Sequence, residues 1–310
     1  MIRVNCIWIL ICAALPGQTA FAQTKEPAST EHVLIGVLDD AREEMVNWKP
    51  GVADDRFIRP AFEKTNAGWR KVDPASIPAQ IKWTVAFDGR SLGQVLSKAI
   101  PIGSRPKGVD FKYLSAVQAI SIPTTAIPSV GAPLEKYAPL GTGPTKGRRP
   151  LVVVSRPYAG DPDGWKRLSQ PPDAVAALVR EAFRDDFPHA YRCKGEVIVQ
   201  HNWRFPDSSL RFPTTYASNK GSFLVESSLN AGDCYANDPN DPGSSPWFFV
   251  TADRRARRIG SFMSLLDAGD YGNDGRSEVI FILEQPEDTE GFVLFDADMH
   301  KEASLLWVYH

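Results

Sequence analysis

The hydrophobic positions of this chain fall in short runs separated by Gly, Pro, Asn and Asp. Runs of this length, bounded by turn-forming residues, predict strands rather than long helices. In the first half of the chain they predict strands at residues 33–38, 57–64, 69–72, 81–87, 91–96 and 151–154, and one or two short strands around residues 113–122. In the second half they predict strands at residues 196–203, 222–228, 247–250, 259–265, 279–283, 292–296 and 303–309.

Two hairpins and one helix stand out within this pattern. Residues 65–68 and 88–90 contain Asn-Ala-Gly and Asp-Gly, which favour the tight turns that join antiparallel strands. Residues 173–187 carry apolar side chains at helical spacing and predict a helix with Asp173 as its N-cap. The apolar stripe of this helix consists of Val175, Leu178, Val179, Ala182 and Phe183. Residues 41–46 could form a second, shorter helix.

These elements predict a mainly β fold: a propeller-like or sandwich-like assembly of short antiparallel strands with one or two helices. The predicted organisation is a disordered segment at 23–31, an N-terminal β region at 32–100, a connection at 101–150 and a C-terminal β region at 151–310. The connection is rich in Pro, Gly, Ser and Thr, and is the best candidate for a domain boundary. The last three strands could form one propeller blade, with residues 33–38 supplying its missing edge.

Residues 1–22 have the features of a secretory signal peptide. Arg3 supplies the charged start, residues 7–15 the apolar core, and Ala20-Phe21-Ala22 the cleavage site. Cys12 lies inside the apolar core and does not suit a lipoprotein acceptor. No later segment is apolar enough to span a membrane. The sequence therefore predicts a periplasmic or secreted protein.

Removal of residues 1–22 leaves two cysteines, Cys193 and Cys234. Because exported proteins meet an oxidising environment, these two thiols predict one disulfide. The alternative is a pair of unconnected free cysteines.

Charge and motif content exclude several classes of function. The net charge of −2 offers no basic excess for tracking nucleic acid, so no nucleic-acid partner is predicted. The sequence contains no H-E-x-x-H and no Cys/His cluster with zinc spacing. We therefore predict no catalytic residues and no organic cofactor, and the sequence leans against an enzyme.

One segment has a spacing that specifies chemistry, residues 270–278, called here the 270–278 loop. Asp270, Asp274 and Glu278 place oxygen-bearing side chains at positions one, five and nine of a calcium-loop pattern. Gly275 supplies the sharp turn at position six, and Arg276 offers its backbone carbonyl at position seven. The predicted metal ligands are therefore Asp270, Asp274, Arg276 and Glu278, and the predicted ion is a structural Ca²⁺.

Residues 259–310 resemble an FG-GAP-type, integrin-like (VCBS-type) repeat of β-propeller proteins. Ala268-Gly269-Asp270 before the loop and Ser277-Glu278-Val279-Ile280-Phe281 after it carry the resemblance. The chain departs from the family pattern at position three, where Gly272 stands in place of Asp or Asn. The resemblance implies a calcium-binding loop between two strands.

A second interpretation of the same residues needs no metal, because Asn-Asp-Gly is favoured wherever a turn requires positive φ. The leading functional prediction is an exported binding or structural protein with a calcium-stabilised loop and an unidentified protein or glycan partner. The alternative is a secreted hydrolase acting on cell-wall or polysaccharide substrates. That enzyme would need two carboxylates facing each other across a cleft.

Overall fold

A computed structural model of the chain describes residues 32–40, 56–87, 89–99, 118–120, 150–158, 160–188, 192–194, 197–199, 205–230, 243–285 and 289–308. Residues 32–310 group into one compact unit. The described part is mainly β and antiparallel, with three larger sheets and one α-helix, so the predicted fold class is confirmed.

The first sheet has seven strands in the order β1-β7-β4-β5-β6-β2-β3. Their bounds are β1 Val33–Asp40, β2 Arg56–Thr65, β3 Gly68–Lys71, β4 Gln80–Phe87, β5 Arg90–Ala99, β6 Gln118–Ile120 and β7 Leu151–Val154. The two predicted hairpins, β2–β3 and β4–β5, are both present. Strand β1 pairs with β2 as well as with β7. Each of the strands β1, β7, β4, β5, β6 and β2 therefore has a partner on both sides.

The second sheet has five strands in the order β14-β13-β12-β11-β8. Their bounds are β8 Lys166–Leu168, β11 Leu210–Ala217, β12 Phe223–Leu229, β13 Trp247–Val250 and β14 Ala256–Gly260. Strand β11 was not predicted. Pro213 interrupts its pattern and lies where the register of β11 against β12 shifts, between Arg211 and Thr214. A separate pair joins β9 Arg192–Lys194 to β10 Val197–Val199.

The third sheet is a four-stranded meander in the order β15-β16-β17-β18. Its strands are β15 Met263–Gly269, β16 Glu278–Gln285, β17 Thr289–Phe295 and β18 Lys301–Val308. The prediction that residues 33–38 complete this sheet is wrong: β1 pairs with β2 and β7, and β15 supplies the fourth strand. The single predicted strand at 259–265 is instead divided between β14 and β15. Ser261 and Phe262 separate the two strands, and Phe262 has φ 53°.

The third sheet lies between the other two, which explains why its strands are apolar on both faces. Along β16, Ile280 and Ile282 pack in a cluster with residues of the first sheet, which include Ile35 and Phe62. The alternating residues Val279, Phe281 and Leu283 pack instead with aromatic side chains of the second sheet. A strand covered on both sides must be a continuous apolar run rather than an alternating one.

The single α-helix among the described residues, α1 Asp173–Asp186, covers the outer face of the second sheet. Val175, Val179 and Phe183 are buried there, as the apolar stripe predicts. The predicted cap is wrong, because Pro172 occupies the N-cap position and Asp173 is the first helical residue. In the described part of the chain, no helix is long and apolar enough to cross a membrane.

Candidate functional site

The 270–278 loop joins β15 to β16, and Asp270 fixes its curvature from within. Asp270 is buried, and its carboxylate oxygens accept the N–H groups of Asp274 at 2.9 Å and Gly275 at 3.0 Å. Gly275 has φ 81° and Asn273 φ 55°, so the chain turns through the left-handed region that Gly and Asn tolerate best. The turn chemistry predicted from the sequence is thus built around one buried carboxylate.

Glu278 closes the other end of the loop. Its Oε2 accepts the N–H groups of Tyr271 at 2.8 Å and Gly272 at 3.1 Å, and its Oε1 accepts the indole N–H of Trp69 at 3.0 Å. Burial raises the pKa of Glu278, although the Gly272 and Trp69 hydrogen bonds and the nearby Lys64 act in the opposite direction. Trp69 belongs to β3, so this carboxylate ties the loop to the first sheet.

Lys64, the penultimate residue of β2, brings a positive charge to the same place. Its Nζ lies 3.4 Å from Oδ2 of Asp274 and 3.9 Å from Oε1 of Glu278. The side chain of Lys64 is 28% exposed, and that of Glu278 is 6% exposed. The ammonium group therefore sits between two carboxylates of the loop.

Arg276 lies at the outer side of the loop. Its N–H donates to Oδ1 of Asp274 at 3.1 Å, and its guanidinium group donates to Oδ2 of Asp298 at 2.7 Å. The Asp298 hydrogen bond raises the pKa of Arg276. Arg276 thus links the loop to the β17–β18 turn through its side chain, whereas the sequence pattern assigns it a role through its carbonyl.

A second chain segment, following β7, holds the loop from another side. The N–H of Asp270 donates to the carbonyl of Gly160 at 2.8 Å. The Ser277 hydroxyl donates to Oδ1 of Asp161 at 2.6 Å and accepts the N–H of Asp163 at 3.1 Å. Ser277 is fully buried, so these bonds form in the interior.

Two stacked tyrosines complete the contact between the loop and this segment. The rings of Tyr158 and Tyr271 lie 5.6 Å apart between centroids. The Tyr271 hydroxyl donates to Oδ2 of Asp267 at 2.6 Å, and the Tyr158 hydroxyl donates to the carbonyl of Ala268 at 3.0 Å. Burial, with the nearby carboxylates of Asp267 and others, raises the pKa of Tyr158, so its phenol stays protonated.

In this arrangement the oxygens of the predicted calcium ligands already meet groups of the protein. Calcium takes 6–8 oxygens converging on one point. The Asp270 and Glu278 oxygens are directed at N–H groups of the protein, and the approach to Asp274 and Glu278 is held by Lys64. Calcium binding at Asp270, Asp274, Arg276 and Glu278 stays a prediction.

Among the described residues, one group of three or more His, Cys, Asp and Glu side chains brings its ligand atoms within 4.8 Å of one another: Asp296, Asp298 and His300. The spacing Asp-x-Asp-x-His could have signalled it. Oδ1 of Asp296 accepts the N–H groups of Asp298 and His300, and Asp298 pairs with Arg276. These contacts close the β17–β18 turn, and they explain why the three side chains lie together.

Another buried carboxylate, Glu63, lies next to Lys64 in the chain. It accepts Nε of Arg70 at 2.9 Å, the Asp73 N–H at 3.1 Å and the Ser76 hydroxyl at 2.9 Å, and it lies 2.6 Å from Nε2 of His32. Burial raises the pKa of Glu63, but these hydrogen bonds outweigh burial, and the pKa is lowered overall. A carboxylate with this many donors stabilises the fold.

The other predicted site residues lie elsewhere. Phe205 and Tyr216, aromatic side chains of the kind that stack on sugars when they are exposed, are buried in the core. The predicted Cys193–Cys234 disulfide involves residue 234 and a Cys193 side chain that lie outside the described residues. The predicted signal peptide, the predicted disordered segment at 23–31, the possible helix at 41–46 and residues 101–117 of the predicted connection also lie outside them. Lys64, Trp69 and Tyr158 were not predicted, because nothing in their local spacing relates them to a loop as far as 210 residues away.

The loop is therefore the best-defined polar site of the described chain, and its groups are bonded both to one another and to other segments. No model of a known protein family matches the chain, and no curated protein or solved structure is significantly similar to it.

Proposed function

We propose that the protein is an exported β-rich protein with a binding or structural role, in which the 270–278 loop serves as a clamp. The observation that carries this proposal is the bonding of the loop's two buried carboxylates to N–H groups of the protein itself. Asp270 and Glu278 are buried and together accept five N–H groups. A carboxylate engaged in this way stabilises a fold and has little capacity left to abstract a proton or attack a substrate.

The clamp joins segments that are distant in sequence. Trp69 and Lys64 come from the first sheet, Asp161 and Gly160 from the segment after β7, and Asp298 from the β17–β18 turn. A joint of this kind suits a protein that must keep its surface rigid outside the cell, where a rigid scaffold lowers the entropic cost of binding.

The hydrolase alternative gains no specific support from the described acids. A shallow cavity of about 380 Å³ on the exposed face of α1 is lined by Glu181, Asp185 and Asp207. Arg180 and Arg184 line the same cavity, and Arg184 forms an ion pair with Asp207. An aspartate paired with a neighbouring arginine differs from a free carboxylate of the facing pair that glycoside hydrolysis requires.

The test is to incubate the purified protein with insoluble cell-wall polysaccharide, and to measure both sedimentation of the protein and release of soluble sugar. Binding without sugar release supports a glycan-binding role. Sugar release proportional to protein concentration contradicts the proposal and favours the hydrolase.

A further inference from the structure

We infer that Lys64 is the resident cation of the 270–278 loop and takes the place of the metal ion that the loop's sequence pattern predicts. The geometry that points to this is the position of its ammonium group between Asp274 and Glu278, at 3.4 and 3.9 Å. These carboxylates hold positions five and nine of the calcium pattern. A compact ammonium group on a flexible stem can reach such a point without the loop changing its outline.

Gly272, the departure from the calcium pattern, has a physical reason in this arrangement. A Cβ added at residue 272 would collide with Nζ of Lys64, and would lie 2.5 Å from Oε1 of Glu278 and 3.4 Å from Oδ2 of Asp274. The side chain missing at position three would thus point at the place that the ammonium group fills. Lys64 and Gly272 form a matched pair: one supplies the charge, and the other leaves the space for it.

The β2–β3 hairpin presents Lys64 and Trp69 to the loop together. Lys64 and Trp69 are directly opposite each other in this hairpin, so their side chains share one face. Nζ of Lys64 lies 5.5 Å from the centroid of the Trp69 ring, within the range of a cation–π interaction. The same indole donates to Glu278 at 3.0 Å. One hairpin therefore delivers both a cation and a hydrogen-bond donor to the loop.

A covalently attached cation changes how the loop responds to its surroundings. A calcium loop is stabilised in proportion to the free metal, because binding shifts the folding equilibrium by mass action. A lysine in the same chain is always present, so the loop's stability should not depend on calcium concentration. This conclusion concerns the loop's cation, and it holds whichever partner the protein binds.

The decisive experiment restores the calcium pattern. We would combine Lys64→Ala with Gly272→Asp in one variant, and use Lys64→Ala with Gly272→Ala as the matched control without the added carboxylate. Unfolding temperatures are measured with millimolar calcium and with chelator. The variant that carries Gly272→Asp should gain about 3–8 °C from calcium, if its affinity is that of an extracellular calcium module. The matched control and the wild type should show no such gain.

Two results would overturn the inference. One is a folded Lys64→Ala, Gly272→Asp variant that does not respond to calcium, because the cation position would then lie elsewhere. The other is a wild-type protein that gains as much from calcium as the variant. If the double variants do not fold, the single variant Lys64→Met is compared with Lys71→Met, an exposed lysine of the same hairpin. Lys64→Met should lower the unfolding temperature by several degrees more than Lys71→Met, and equal losses would refute the role of Lys64.

Discussion

Replacing Glu278 with Ala should be among the most damaging substitutions in the 270–278 loop. The wild-type carboxylate accepts three buried N–H donors, from Tyr271, Gly272 and the Trp69 indole. Truncation leaves these donors without their partner and leaves Lys64 with Asp274 but without the Glu278 carboxylate. Each unsatisfied buried donor costs about 1–3 kcal/mol, and removing one partner from a buried ionic arrangement costs about 3–5 kcal/mol in total. We expect a loss of about 3–5 kcal/mol in the free energy of unfolding.

The matched control is Asp274→Ala, which removes the other carboxylate beside Lys64. The Asp274 side chain is 51% exposed, so water can replace its contacts. An exposed ion pair contributes about 0–1 kcal/mol, and we expect a loss within that range.

The assay is equilibrium unfolding in urea followed by tryptophan fluorescence, with the free energy obtained by linear extrapolation. Differential scanning calorimetry provides a second measure, at about 2–4 °C per kcal/mol for a protein of this size. If Glu278→Ala loses no more stability than Asp274→Ala, the carboxylate does not hold the loop, and the clamp is refuted.

Three further predictions test other parts of the fold. Glu63→Gln should weaken the dependence of the unfolding free energy on pH at acid pH. Because folding lowers the pKa of Glu63, the stabilisation by its carboxylate is present above the unfolded-state pKa and is lost as pH falls. Equal pH dependence of the unfolding free energy in the variant and the wild type would contradict this. Phe281→Ala should lower the unfolding free energy by about 3–5 kcal/mol, because its fully buried ring packs in the layer between the second and third sheets. Leu306→Ala, the control, should change the unfolding free energy by less than about 0.5 kcal/mol, because the Leu306 side chain is 42% exposed. Tyr271→Phe should cost about 1–3 kcal/mol in urea unfolding, since it leaves the buried Asp267 carboxylate without that donor, and an unchanged midpoint would argue against the bond.

Local patterns were sufficient to predict most of the described elements. The two hairpins followed from turn residues between apolar runs, and α1 followed from its helical stripe. The run at 151–154 was predicted to be a buried strand, and all four residues of β7 are buried. These features depend on residues close in sequence, where propensity and periodicity act directly.

The arrangement of sheets could not be predicted, because it depends on contacts between distant segments. Strand β1 has the apolar pattern of any buried strand, and nothing in that pattern distinguishes pairing with β2 and β7 from pairing with the third sheet. Strand β11 was missed because Pro213 interrupts its pattern, although a bulge accommodates the proline.

The 270–278 loop shows the same difference between what local sequence patterns predict and what depends on contacts between distant segments. Spacing identified Asp270, Asp274 and Glu278 as a coherent set, and the structure brings Asp270 and Glu278 into one bonded loop. Spacing could not identify their partners: Lys64 and Trp69 precede the loop by about 200 residues and carry no motif of their own. A calcium pattern specifies where oxygens fall along the chain, but the cation that they meet is determined by tertiary packing.

The most direct test of the clamp is isothermal titration of calcium into the purified, chelator-treated wild-type protein. The account predicts no saturable heat at millimolar calcium, because Lys64 and the protein's own N–H groups already occupy the loop's carboxylates. A saturable heat with one calcium per chain, abolished by Asp274→Ala, would contradict it and would restore the 270–278 loop as a metal site.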